Sequence, residues 1–278
     1  WHKNNGDQVE WCNLFEHYDR VYISRVFDDM YTEDFNTVVN ADEIIKGGTG
    51  YDLKNKLPDE IEHIYPDYSL YPKLTKDTAF GFLTRGCPNN CPFCILSEKE
   101  GLRSHKVADI SEFWSGQKNI ELLDPNILAC RQHMDLLQQL IETKAKVNFN
   151  QGLDARFINE KNIELLKQIK IKMVHFAFDL MKNEKKIVEG LKMFKDATGI
   201  RRRDTVVYIL TNFNTTHEED MYRVNKCIEL DYNPYIMIFN KTLAPQITKD
   251  LQRWCNNRII FEGTKRDFKV YRREIENS

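Results

Sequence analysis

The chain lacks the features that would assign it to several large protein classes. No apolar run approaches the roughly 20 residues that a membrane-spanning helix requires. The opening Trp1-His2-Lys3-Asn4-Asn5-Gly6 has neither the basic-then-apolar profile of a secretory leader nor an initiator methionine, and so reads as a processed or trimmed start. The cysteine total, 7, is odd in a long chain without a leader, which argues against a disulfide framework and for a reducing, cytoplasmic setting. There is no strong charge of one sign, since the net charge is −2. Residues 1–75 carry 7 Lys+Arg against 15 Asp+Glu and the remainder 33 against 27, a split that suggests two modules. A mild positive excess spread over amphipathic stretches does not imply nucleic-acid binding. Gly47-Gly48-Thr49-Gly50 lacks dinucleotide-fingerprint spacing and reads as a tight turn.

With 278 residues, of which 41% are hydrophobic, the chain can bury a substantial core. The first part reads as short strands at Val9–Cys12, Arg20–Ser24 and Glu43–Lys46, an α/β pattern. A connector follows over 57–74, where Pro58, Pro66 and Pro72 interrupt helix and strand ladders alike, so the module boundary is placed there: 1–75, then 76–278. Beyond it strands and helices alternate. Candidate strands are Ala79–Leu83, Ile120–Leu123, Lys146–Phe149, Lys172–Phe178, Thr205–Leu210 and Tyr235–Phe239. Amphipathic stretches lie between them, carrying Met134, Leu137 and Ile141, then Ile163, Leu166 and Ile169, then Ile187, Leu191 and Phe194, then Met221, Val224 and Ile228. Thr216 and Glu219 form a capping-box pattern ahead of the last of these, and a helical tail closes the chain. Such alternation predicts a parallel sheet with helical crossovers.

Cys87-Pro-Asn-Asn-Cys91-Pro-Phe-Cys94 brings three thiols into one loop just past the first of these strands. Three cysteines on an iron–sulfur cubane leave one iron open to a substrate or cofactor. A zinc site would need a fourth ligand, His105 or a distant cysteine, and zinc more often takes paired short knuckles. Cys12, Cys130, Cys227 and Cys255 stand alone and read as small buried hydrophobes.

The Cys-x3-Cys-x2-Cys spacing with Phe93 before the last cysteine resembles the signature of the radical S-adenosylmethionine (radical SAM) enzymes. That resemblance implies a [4Fe-4S] cluster on Cys87, Cys91 and Cys94, with SAM chelating the fourth iron and reductively cleaved to a 5′-deoxyadenosyl radical that abstracts hydrogen from a substrate. It also implies an open, partial (β/α)6 barrel and a flavodoxin- or ferredoxin-like electron donor. The substrate, whether small molecule, peptide or nucleic acid, is left open, and no membrane association is expected. The module order resembles the cobalamin-binding and methylthiotransferase-like types. Methylthiotransferases carry three further cysteines in the first module, where this chain has only Cys12, and the cobalamin motif Asp-x-His-x-x-Gly is absent. Residues 1–75 therefore read as a truncated, Rossmann-like remnant, with bound cobalamin kept as the lesser alternative. The rival to the whole reading is a non-catalytic iron–sulfur or zinc protein whose cysteine loop is structural or carries electrons.

In folds built of βα units, reacting groups gather at the carboxyl ends of the strands. Those ends carry Asp124 and Asn126, then Gln151, Asp154 and Arg156, then Asp179, then Thr211 and Asn212. Arg156 is assigned to the SAM carboxylate, because a guanidinium grips one through two parallel hydrogen bonds, with a structural ion pair as the rival reading. Asp154 and Gln151 are candidates for ribose or amino protons and Phe93 for the adenine wall. By resemblance the segment after the second strand contacts the SAM amino group; here it reads Leu123-Asp124-Pro125-Asn126 in place of Gly-Gly-Glu, which leaves the roles of Asp124 and Asn126 open. The family's adenine-side pattern is matched by Ile209 and Thr216 but not by its glycines, so Thr211 and Asn212 are expected to project into the pocket. His175, Tyr208 and Tyr235 read as strand packing, and Arg201–Arg203 as a solvated loop.

Overall fold

A computed structural model describes residues 1–276 apart from 30 and 36. The first region holds β1 (Tyr18–Ser24) and β2 (Ala41–Gly47), which pair in parallel as a two-stranded sheet. Among the described residues of the connection between them there is no helix, unlike the βαβ unit of a Rossmann-like module. The strand expected at Val9–Cys12 is absent: the Trp11 indole N–H donates to Leu70 O at 2.9 Å, and the segment has no ladder partner. The connector carries two single turns, α1 (Asp59–Glu62) and α2 (Pro72–Thr75).

All the strands expected beyond residue 75 are present within two residues of their expected bounds. β3 (Thr78–Gly81) leads to a small antiparallel pair, β4 (Thr84–Arg85) and β5 (His105–Lys106), with the turn α3 (Leu96–Lys99) between them. β6 (Asn119–Leu122), α4 (His133–Thr143), β7 (Lys146–Phe149), α5 (Glu160–Leu166), β8 (Lys170–Ala177), α6 (Glu184–Thr198), β9 (Thr205–Thr211), α7 (His217–Glu229) and β10 (Pro234–Ile238) follow in strict alternation. The tail is α8 (Gln246–Asn256), α9 (Arg258–Gly263) and α10 (Phe268–Glu276).

The main sheet has six strands in the order β10-β9-β8-β7-β6-β3, every neighbouring pair parallel. Strand order never reverses, so right-handed crossovers place the successive helices on one face. Side-chain alternation then divides each strand. Val147, Phe149, Val174, Phe176, Val207, Ile209 and Ile236 turn toward the helices and are almost wholly buried. Phe176 meets Phe194 of α6 at 5.1 Å and Tyr232 at 5.8 Å. The capping box of Thr216 and Glu219 is formed at the start of α7, and Asn159 with Asn162 builds another on α5. Gly190 lets α6 approach the chain after β7, since a Cβ there would lie 1.9 Å from Ala155 O. The tail packs through Trp254, Phe261 and Phe268 and covers β10.

Candidate functional site

Local contacts hold the cysteine loop above the carboxyl ends of the strands. Asp124, past β6, is buried and accepts from Leu83 N at 3.0 Å and from Thr84 N and Oγ1 at 2.5 Å each, which pins the chain entering the loop. At the loop's base Gly86 N–H donates to Glu100 at 3.0 Å and Cys87 N–H to Gly101 O at 3.3 Å. Gly86 has φ +80°, and a Cβ there would lie 2.2 Å from Arg103 O, so this closure requires glycine. Within the loop Cys94 N–H donates to Cys91 O at 3.0 Å.

A cavity of about 180 Å³ opens beside this loop, lined among others by Cys91, Cys94, Phe93, Asn126, Gln151, Asp154, Arg156 and Asp179. Asp154 is its structural hub. One carboxylate oxygen accepts from Arg156 N at 3.1 Å and Nε at 2.8 Å; the other accepts from Arg156 Nη2 at 2.7 Å, Asn89 Nδ2 at 2.7 Å and Asn126 Nδ2 at 3.1 Å. That carboxylate is saturated by protein donors. The Nε–Nη2 edge of the Arg156 guanidinium is spent on Asp154, which leaves Nη1 for a ligand. Asn126 is 1% exposed and donates to Cys87 Sγ at 3.6 Å, while its Oδ1 is buried with no donor. An orphaned buried acceptor is costly, and a ligand N–H satisfies it.

The opposite wall is the end of β8. Asp179 takes Leu210 N–H on Oδ1 at 2.8 Å, and enclosure by protein pushes its carboxyl up to about 6. Arg223, fully buried on α7, fixes this wall. Its Nη1 donates to Phe178 O at 2.8 Å and Asp179 O at 3.0 Å, and its Nη2 to Leu210 O at 3.0 Å and to Asp220. The guanidinium thus substitutes for ladder bonds where β8 and β9 diverge. Asn183, which precedes α6, also lines the cavity, so the positive end of that helix dipole reaches it. Phe93 packs edge-on against Phe213 at 5.3 Å, and Phe213 against Phe239 at 4.9 Å, joining the cysteine loop to the ends of β9 and β10.

The loop offers three thiols, the ligand type that iron–sulfur centres take. Burial, then the neighbouring sulfurs, raise the Cys91 thiol above its ordinary range; burial likewise raises Cys94. Metal binding overcomes that penalty by supplying positive charge to thiolates that otherwise repel one another. The amide donor on Cys87 Sγ is of the kind that tunes cluster potential. Among the described residues no group of three or more His, Cys, Asp or Glu side chains is arranged to hold a metal ion. His105 Nδ1 lies 3.1 Å from its near neighbour's carbonyl, Arg103 O.

Other expected site residues lie apart from the cavity. Asp124 is enclosed by Leu83 and Thr84, and burial pushes its carboxyl up to about 7. Ile209 is core, Thr211 is buried with its hydroxyl on Met237 O at 3.1 Å, and Asn212 Nδ2 donates to Phe239 O at 2.8 Å. None of these lines the cavity; their neighbour Phe213 carries the contact to Phe93 instead. Asn89, Asn183 and Arg223 escaped the sequence reading. Asn89 was visible between the cysteines, and the Asp220–Arg223 spacing on a helix was a signal for a pair, but its target carbonyls are distant in sequence.

No protein-family model matches the chain, and no curated protein matches it. Among solved structures it is similar to Streptococcus suis SuiB bound to precursor peptide SuiA, at TM-score 0.45 and 14% identity over 68% of this chain and 46% of that one. A second structure, SuiB bound to S-adenosylmethionine, gives TM-score 0.44 and 13% identity over 69% of this chain and 48% of that one. This chain spans less than half the length of either.

Proposed function

We propose that the protein is a radical SAM enzyme, with a [4Fe-4S] cluster held by Cys87, Cys91 and Cys94 and SAM in the adjoining cavity, on a sheet curved as a partial (β/α)6 barrel. The observation that carries this is Asn126, which lines the cavity, donates to a cysteine sulfur and keeps a buried Oδ1 without a donor. When bound, the cluster supplies the electron that splits the sulfonium into methionine and a 5′-deoxyadenosyl radical. The chain's own residues bind and orient. Asn126 Oδ1 accepts from the SAM amino group, and Arg156 Nη1 with the N-terminal end of α6 attracts its carboxylate. Asp179 receives a ribose hydroxyl, with Gln151 on the same rim. Phe93, backed by Phe213, flanks the adenine. Asp154 acts by holding Arg156, Asn89 and Asn126 in place rather than by touching SAM.

The same reading makes 1–75 a separate small module without cobalamin and requires a flavodoxin- or ferredoxin-like donor in the cytoplasm. No helix among the described residues is long and apolar enough to cross a membrane. The rival, a stapling or electron-carrying cluster, draws support from the closure of Arg156 on Asp154. Anaerobic reconstitution separates the two. Dithionite-reduced protein with full iron and sulfide is expected to convert SAM to 5′-deoxyadenosine and methionine; a full cluster without that product sinks the enzyme reading.

A further inference from the structure

The face of the main sheet turned away from the helices carries groups that the cavity does not use. Register sets Glu121 of β6 beside Asn148 of β7, and Tyr208 of β9 beside Tyr235 of β10. His175 shares this face, because it alternates with Val174 and Phe176. The face is open at its β10 edge, with Tyr235 43% and Met237 37% exposed, and closes down to His175 at 6%. Ala177, on the same side of β8, lines the cavity, so the strip runs into it.

Its chemistry is one-sided. His175 Nδ1 donates to Phe149 O at 3.0 Å, which leaves Nε2 an acceptor without a protein partner among the described residues. Burial holds that imidazole below its ordinary pKa, hence neutral at pH 7. Asn148 donates to Glu121 through Nδ2, while its Oδ1 is buried with no donor. Lys172 Nζ, 3.2 Å from Glu121, is spent on that carboxylate. Beside these acceptors the His175 and Tyr208 rings stack at 5.4 Å and 10°, and Tyr235 meets Tyr208 edge-on at 5.7 Å. Unfilled acceptors and electron-rich rings, beside a carboxylate already paired with Lys172, complement a cation rich in N–H donors and do not complement an anion.

We propose that this strip binds a protonated amine or guanidinium group of the substrate and leaves the rest of the substrate at the cavity mouth. Calling the occupant a substrate rests on the radical SAM reading; the binding itself needs neither cluster nor SAM. An amine or guanidinium can belong to a free polyamine-like molecule or to a Lys or Arg side chain in a peptide, and the test separates the two.

The full chain is titrated by calorimetry with agmatine, with acetyl-Gly-Arg-Gly-amide and with the uncharged acetyl-Gly-norleucine-Gly-amide. One or both cations are expected to bind and the uncharged peptide not, the tighter cation naming the source. His175→Phe keeps the ring stack but removes the acceptor, and Glu121→Gln removes the charge; each is expected to weaken the cation about tenfold. Should His175→Phe not fold, Glu121→Gln alone decides. No cation binding up to about 10 mM, equal binding of the uncharged peptide, or unchanged affinity in a folded variant overturns the proposal. Cation binding without any SAM cleavage would instead leave this site standing and remove the proposed reaction.

Discussion

The two parallel sheets of this protein differ in what covers them. In the main sheet one face is packed under crossover helices, and the core cluster extends from Ala79 to Tyr271. The β1–β2 pair has a full parallel register, yet Val21 is its only buried residue, and Tyr22 and Ile44 are 56% and 45% exposed. Parallel strands derive stability from covered faces more than from ladder bonds. The comparison teaches that position over a core, rather than strand pairing, is what makes a rigid platform for chemistry. The cavity accordingly lies at the ends of the covered strands.

The sharpest way to break that comparison is to attack the platform where the strands separate. Arg223→Met leaves Asp220 buried without its partner and the Phe178, Asp179 and Leu210 carbonyls without a donor. It is expected to cost about 3–5 kcal/mol in urea unfolding. A cost below about 1 kcal/mol would show that the strand ends hold without this clamp.

A matched pair tests the contrast directly. Val147 on β7 is 0% exposed and Val21 on β1 is 7% exposed, similar values in different surroundings. Val147→Ala is expected to cost about 2–4 kcal/mol and Val21→Ala about 1 kcal/mol or less, because the second site can relax into the cavity it creates. Equal costs would mean that the first region shares the core.

A further test is a pH dependence. Burial raises the Asp124 carboxyl to about 7 and that of Asp179 to about 6, against about 3.9 in an unfolded chain. The folded state keeps protons that the unfolded chain releases. Their contribution to stability is therefore greatest at low pH and is lost as pH rises from about 4 through the folded values. Asp179→Asn is expected to flatten the fall in Tm between about pH 4 and 6, and an unaltered profile would refute the raised value.

Much of the platform was legible beforehand. The periods of the apolar residues marked every main-sheet strand, because alternation and helical spacing are local patterns. The strand expected at Val9–Cys12 failed because a short apolar run needs a partner that no local pattern supplies. Cysteine spacing located the loop, and strand-end polarity located Gln151, Asp154, Arg156 and Asp179 at one cavity. Asp124, Ile209, Thr211 and Asn212 share those strand ends and yet face elsewhere, since one residue of register decides between cavity, core and neighbouring backbone.

By itself the amino-acid order determined the alternation of elements and the gathering of three thiols within one turn of chain, because both depend on neighbours a few residues apart. Only the tertiary structure decided which polar groups are spent and which are left unfilled. Asp154 is consumed by donors from segments 28 and 65 residues away, whereas Asn126 and Asn148 keep acceptors without donors. Hydrogen bonding between distant segments is set by strand register and helix packing, and no local spacing encodes it.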